Sequence, residues 1–167
     1  MHDELTKEDL KKMREELDYR RLELMPGLIE EVKRTRAFGD LSENFAYKAA
    51  KQAQSKNRSR IRYLENMIKT ATVIEDRAGA NEVGLFDKVE LYLPEDDEIE
   101  VLQVVTTVRC DPRHGLISKE SPMGRQLLGK KVGDRFTVQV NERISYPAEV
   151  KSITKTEDDG SAPLMKY

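Results

Sequence analysis

Two long helical patterns joined by a very short turn leave a chain little freedom, because it must double back on itself. In this 167-residue chain one such pattern runs in from residue 7 and a second runs out to about residue 71. Gly39-Asp40-Leu41-Ser42-Glu43-Asn44 lies between them. So short a connection predicts two antiparallel helices. About 30 residues per arm, at 1.5 Å each, predict a rod of roughly 45 Å.

In the first arm Thr6 is a good N-cap, with Glu8 and Asp9 in the first turn where the helix dipole favours acids. Leu10, Met13, Leu17 and Leu24 recur at helical spacing, and Ile29 and Val32 carry the stripe onward. Pro26-Gly27 predicts a kink or short break. The helix then resumes through Arg36, and Gly39 suits a left-handed position after it. In the second arm Ala46, Ala50, Ala53, Asn57, Ile61 (or Arg60), Leu64, Ile68 and Ala71 step by three and four, as a coiled-coil seam does. Asn57 is a polar seam residue of the kind that fixes register.

After Ala78-Gly79-Ala80-Asn81 the period changes. Lys88–Leu93 alternates like a half-buried strand, and Glu98–Val105, Leu116–Ser118, Arg135–Val140 and Tyr146–Ile153 are further strand candidates. Ser121-Pro122 opens a short helix, with Ser as N-cap and Pro at the first helical position, that stops at Gly129. The pattern predicts a small α+β domain with an antiparallel sheet. The division expected is a hairpin over 1–76, a linker over 77–84, a globular domain over 85–154 and a disordered tail over 155–167.

The totals narrow the chemistry. Net charge is −2, so the whole molecule is no general magnet for nucleic acid. A lone Cys110 forms no internal disulfide, and His2 and His114 are too few and too far apart for a zinc site. No apolar run nears the ~20 residues that span a bilayer. These features predict a cytoplasmic protein with no membrane partner.

Asp40 and Glu43 then admit two readings. Asp at an N-cap with Glu three residues on resembles a capping box at the start of the second helix. The same spacing also puts two hard oxygen ligands together, which suits Mg²⁺ held weakly until another centre supplies the remaining ligands. Lys48, Lys51, Lys56, Arg58, Arg60 and Arg62 follow with no acid between Glu43 and Glu65. That run reads either as a solvated face or as a track for a phosphate backbone. No interleaved aromatic platform is visible in it, so any such contact would be sequence-independent.

Gly39-Asp40-Leu41-Ser42-Glu43-Asn44, with Tyr47 following, resembles the hairpin tip of the bacterial transcript-cleavage factors of the GreA/GreB family. The stretch from Leu116 to Asp134 resembles the signature of that family's C-terminal domain, and Leu10–Leu17 matches its first helix. The resemblance implies an N-terminal antiparallel coiled-coil hairpin followed by a small FKBP-like antiparallel-sheet domain with one short helix. It implies a monomer whose partner is RNA polymerase, bound through the secondary channel, with the nascent RNA 3′ end met inside that complex. By position, Asp40 and Glu43 would share Mg²⁺ with the polymerase, which itself cuts backtracked RNA; the free protein would hold no metal tightly. Asn44 and Tyr47 would support the tip. Lys48, Lys51, Lys56 and Arg58 would face the RNA, and Ser121, Pro122 and Arg125 would lie in the docking domain, there or in a structural role.

The chain departs from the family where members usually read Glu-Asn-Ala-Glu/Asp-Tyr. Here Phe45 replaces a small residue and Ala46 a third carboxylate. Gln103–Pro112 and Val140–Pro147 also lack the usual Gly-rich turns. The departure at Ala46 motivates an alternative, a secondary-channel regulator that tunes or inhibits polymerase without stimulating cleavage.

Overall fold

A computed structural model of the chain describes residues 3–39 and 42–166. Asp40, Leu41 and His2 therefore lie outside the described residues. The chain divides into two compact units, one built on Asp9–Thr72 and the other on Glu4–Glu8 with Val73–Lys166.

The first unit is the predicted hairpin. Strand β1 (Glu4–Leu5), which belongs to the second unit, leads into helix α1 (Lys7–Tyr19), a π-helical turn (Arg20–Leu24), α2 (Met25–Arg36) and then α3 (Phe45–Thr70). No break occurs at Pro26. The π-turn immediately precedes it, and Pro26 falls in the first turn of α2. A proline ring collides with the carbonyl four residues back in a regular helix, and the wider π-turn relieves that collision without ending the helix. The one-residue insertion also advances the stripe. Leu28, not Ile29, is half-buried, and Ile29 is exposed.

The seam is apolar at one end and polar in the middle. Leu10, Met13 and Leu17 of α1 and Leu64 and Met67 of α3 are buried. Next along α3 come Arg60, Asn57, Gln54 and Ala50, all buried. The alternative Arg60 is therefore the seam residue, and Ile61 is only half-buried. Ala46 and Ala53 are exposed rather than in the seam. The Glu16 carboxylate accepts from Arg60 Nε at 2.8 Å, Arg60 Nη2 at 2.9 Å and Arg20 Nε at 2.7 Å. Arg20 Nη1 donates to Asn57 Oδ1 at 2.9 Å, and Asn57 Nδ2 returns a bond to the Arg20 carbonyl at 3.3 Å. Each buried charge thus has an opposite charge and hydrogen bonds. Asn57 fits its expected role of fixing register.

The second unit carries a five-stranded sheet in the order β5-β4-β3-β7-β6. Its strands are β3 (Lys88–Leu93), β4 (Glu98–Val105), β5 (Leu116–Ser118), β6 (Arg135–Gln139) and β7 (Ser145–Thr154). A short strand β2 (Thr72–Val73) pairs with β1 outside this sheet. The larger sheet is antiparallel except for one parallel pair, β4 with β5. Val89 and Leu91 of β3, Leu102 and Val104 of β4, and Ala148 and Val150 of β7 line its core, with Leu127 of helix α4 (Pro122–Leu127). Alternation along β3, buried at every second residue, is what placed this strand in the sequence.

Residues 155–166, expected to be disordered, are held instead. The buried Arg109 guanidinium forms a two-pronged ion pair with Asp158, at 2.6 and 2.7 Å. Lys155 pairs with the buried Asp87, and Met165 N–H donates to the Val108 carbonyl at 2.7 Å. A charged tail reads as disorder in sequence, yet here its acid neutralises a cation buried in the core.

Candidate functional site

The turn end of the hairpin is closed by one side chain. Asn44 is the N-cap of α3, and its Oδ1 accepts from Tyr47 N–H at 2.9 Å. Its Nδ2 donates to the Thr35 carbonyl at 2.7 Å. A single amide thereby satisfies an orphan donor at the start of α3 and a carbonyl at the end of α2. Thr35 is buried, and its hydroxyl donates back to the Glu31 carbonyl at 2.8 Å. Gly39 takes φ +121°, a conformation that side chains other than glycine rarely adopt.

This arrangement corrects the capping-box reading. Helix α3 starts at Phe45, so Glu43 precedes the cap and is not three residues inside it. Asp40 lies outside the described residues. Asn at a cap ranks with Asp in preference, and that ranking was the available signal for Asn44. Tyr47 is half-buried and meets the cap through its backbone N–H.

Glu43 is exposed and forms no ion pair among the described residues. The acids of α2 are occupied. Glu30 pairs with Lys33 at 2.9 Å and Glu31 with Arg34 at 2.6 Å. The hydrogen bond from Arg34 holds the Glu31 carboxyl below its ordinary range. Glu43 is thus a hard oxygen donor with no cation paired to it among the described residues, the chemistry Mg²⁺ takes in ones and twos alongside water. Among the described residues no three acids, histidines or cysteines converge.

The basic run divides. Lys48, Lys51, Arg58 and Arg62 are exposed and share one stripe at helical spacing, whereas Lys56 is exposed but off that stripe. Arg60 belongs to the seam. Lys48 is tethered: its Nζ donates to the Ser42 carbonyl at 2.9 Å and sits 5.6 Å from the centre of the Phe45 ring.

In the second unit Ser121 is the N-cap of α4, its Oγ accepting from Gly124 N–H at 3.0 Å and donating to the Ser118 carbonyl at 2.7 Å. Pro122 opens that helix, and Arg125 pairs with Glu120 on the surface at 2.8 Å. These contacts give Ser121 and Pro122 a structural role.

Comparison with known proteins matches both units. A family described as transcription elongation factor, N-terminal, matches residues 4–73, and one described as transcription elongation factor, GreA/GreB, C-term, matches residues 78–155. The chain is 43% identical over 136 residues to the transcription elongation factor GreA of Bacillus subtilis, covering 81% of this chain and 86% of that protein. It is 42% identical over 137 residues to GreA of Thermoanaerobacter pseudethanolicus, covering 81% and 87%. Among solved structures, the GreA factor homolog 1 protein of Thermus thermophilus is 27% identical, with a TM-score of 0.43 over 93% of this chain and 100% of that one. With both units matched in order, the chain belongs to the GreA/GreB family of transcription elongation factors.

Proposed function

We propose that the protein is a transcript-cleavage elongation factor that acts on RNA polymerase. The observation that carries this reading is the exposed carboxylate of Glu43, free of ion pairs among the described residues, on a turn closed by Asn44 in a chain of this family. The hairpin enters the polymerase through its secondary channel, and the protein works as a cytoplasmic monomer. Asp40 and Glu43 would hold Mg²⁺ jointly with the polymerase, and none is held tightly by the free protein. That ion would activate water for attack on the phosphodiester of backtracked RNA. The chain's own residues do the rest. Asn44 links the end of α2 to the start of α3, and Lys48, Lys51, Arg58 and Arg62 offer phosphate contacts along α3 to the nascent RNA. The polymerase performs the cleavage.

The test is a stalled, backtracked elongation complex given the protein and Mg²⁺. The RNA should shorten from its 3′ end, and Asp40→Asn should abolish shortening while polymerase binding persists. If the wild-type protein binds and slows elongation without shortening RNA, it is instead a regulator that occupies the channel.

A further inference from the structure

The most exposed aromatic ring of the hairpin lies two residues after the acid assigned to the reaction. Phe45 is 80% exposed, and its N–H donates to the Glu43 carbonyl at 3.1 Å. An isolated phenyl ring left in water gains nothing for the fold, because the helix start is already fixed by Asn44. The ring does not float free. The Lys48 ammonium lies over it at 5.6 Å and is itself anchored to the Ser42 carbonyl. An exposed aromatic with a cation beside it is a combination that binds unpaired nucleobases, the ring stacking on the base and the cation meeting its phosphate.

We infer that Phe45 is a stacking platform for a nucleobase of single-stranded RNA, positioning the strand beside the Glu43 carboxylate. Phe45 is a positioning residue and takes no part in the proton or metal chemistry. It is sequence-tolerant, since every base has a π-face. The same end of the hairpin bears a second exposed ring, Phe38, with Arg34 lying 5.2 Å from its centre. Phe38 belongs to the other arm and carries no contact to the Glu43 backbone among those resolved, so it serves as the comparison.

This inference rests on the cleavage reading above, and the experiment separates the two. Backtracked complexes are prepared with RNA whose 3′-terminal nucleotides carry bases, and with matched RNA in which those nucleotides are abasic. The rate of shortening is measured at subsaturating and saturating protein. With base-bearing RNA, Phe45→Ala should raise the protein concentration for half-maximal rate by about fivefold or more, and Phe45→Tyr should restore it. With abasic RNA, wild type and Phe45→Ala should be equal. Phe38→Ala should keep the wild-type dependence on the base. A 4-thiouracil base at the RNA 3′ end should photo-crosslink to the peptide holding Phe45. Equal losses on both RNAs, or a crosslink to polymerase alone, would mean that Phe45 packs against protein and would overturn the inference. No shortening by wild type on either RNA would instead overturn the cleavage reading.

Discussion

At the scale of the residue, Asn44 decides the geometry of the turn. Its carboxamide bonds both helix ends, so its loss removes two contacts at once. Asn44→Ala should destabilise the hairpin by about 1–2 kcal/mol, the range for losing a cap. Denaturant unfolding followed by helical circular dichroism measures this. Asn44→Asp retains an acceptor for Tyr47 N–H but not a donor for the Thr35 carbonyl, and should recover part of the loss. Sequence reasoning placed the turn between the two helices, and one of its two readings of Asp40 made that residue the cap, a place that Asn44 takes. The two residues have similar cap preference, and only the position of the first helical residue separates them. Phe45 was legible as an aromatic beside the turn, and Phe38 was not singled out. The exposure of neither ring was legible, because exposure depends on which face each helix end presents.

At the scale of the element, the hairpin depends on an ionic seam. Burial alone would raise the Glu16 carboxyl pKa, but hydrogen bonds and charge from Arg60 and Arg20 outweigh it and leave the value below the ordinary 4.5. A lowered folded-state pKa means the stabilisation is fully present above about 4.5 and is lost as pH falls through the folded value. Glu16→Gln should cost roughly 2–3 kcal/mol at pH 7, less than for a fully dry pair because Glu16 keeps some solvent contact. The gap between wild type and Glu16→Gln should shrink when urea unfolding is repeated at pH 3. The seam was half legible. Apolar spacing located Leu10, Met13, Leu17 and Leu64, but a charge at a seam position reads as surface unless its partner on the other arm is known. The π-turn was illegible for a related reason, since proline signals a disturbance and not how the backbone absorbs it. The five strands of the larger sheet and α4 were legible almost to the residue, because alternation and the Ser121-Pro122 start are local signals, whereas the two-residue strands β1 and β2 are too short to show any alternation. Gly124 shows what such signals omit. A side chain there would come within 2.1 Å of the Ser118 carbonyl, so the glycine marks a close approach of helix to strand.

At the scale of the whole molecule, the matched family segments end at residue 155, yet the fold continues past them. Asp158 supplies the carboxylate that faces the fully buried Arg109, whose guanidinium also lies 5.0 Å from the centre of the Phe86 ring. Phe86 itself has φ +66°, unusual for a bulky residue. Gln103 Nε2 donates to its carbonyl at 2.6 Å, and Thr156 Oγ1 donates to the same oxygen. Asp158→Asn should lower the stability of the second unit by about 3 kcal/mol, measured by guanidinium unfolding, because the desolvated cation loses its counter-charge. Charge is divided unevenly along the chain. Residues 1–75 carry 16 basic and 14 acidic side chains, and residues 76–167 carry 13 and 17. The closure of the turn by Asn44 has a further bearing on how such a chain can change over generations. The bonds that shut the turn run from one amide to backbone atoms, so the side chains at positions 45 and 46 take no part in holding it shut. A substitution at either position leaves those two bonds in place, so what the side chains there touch can change while the cap persists.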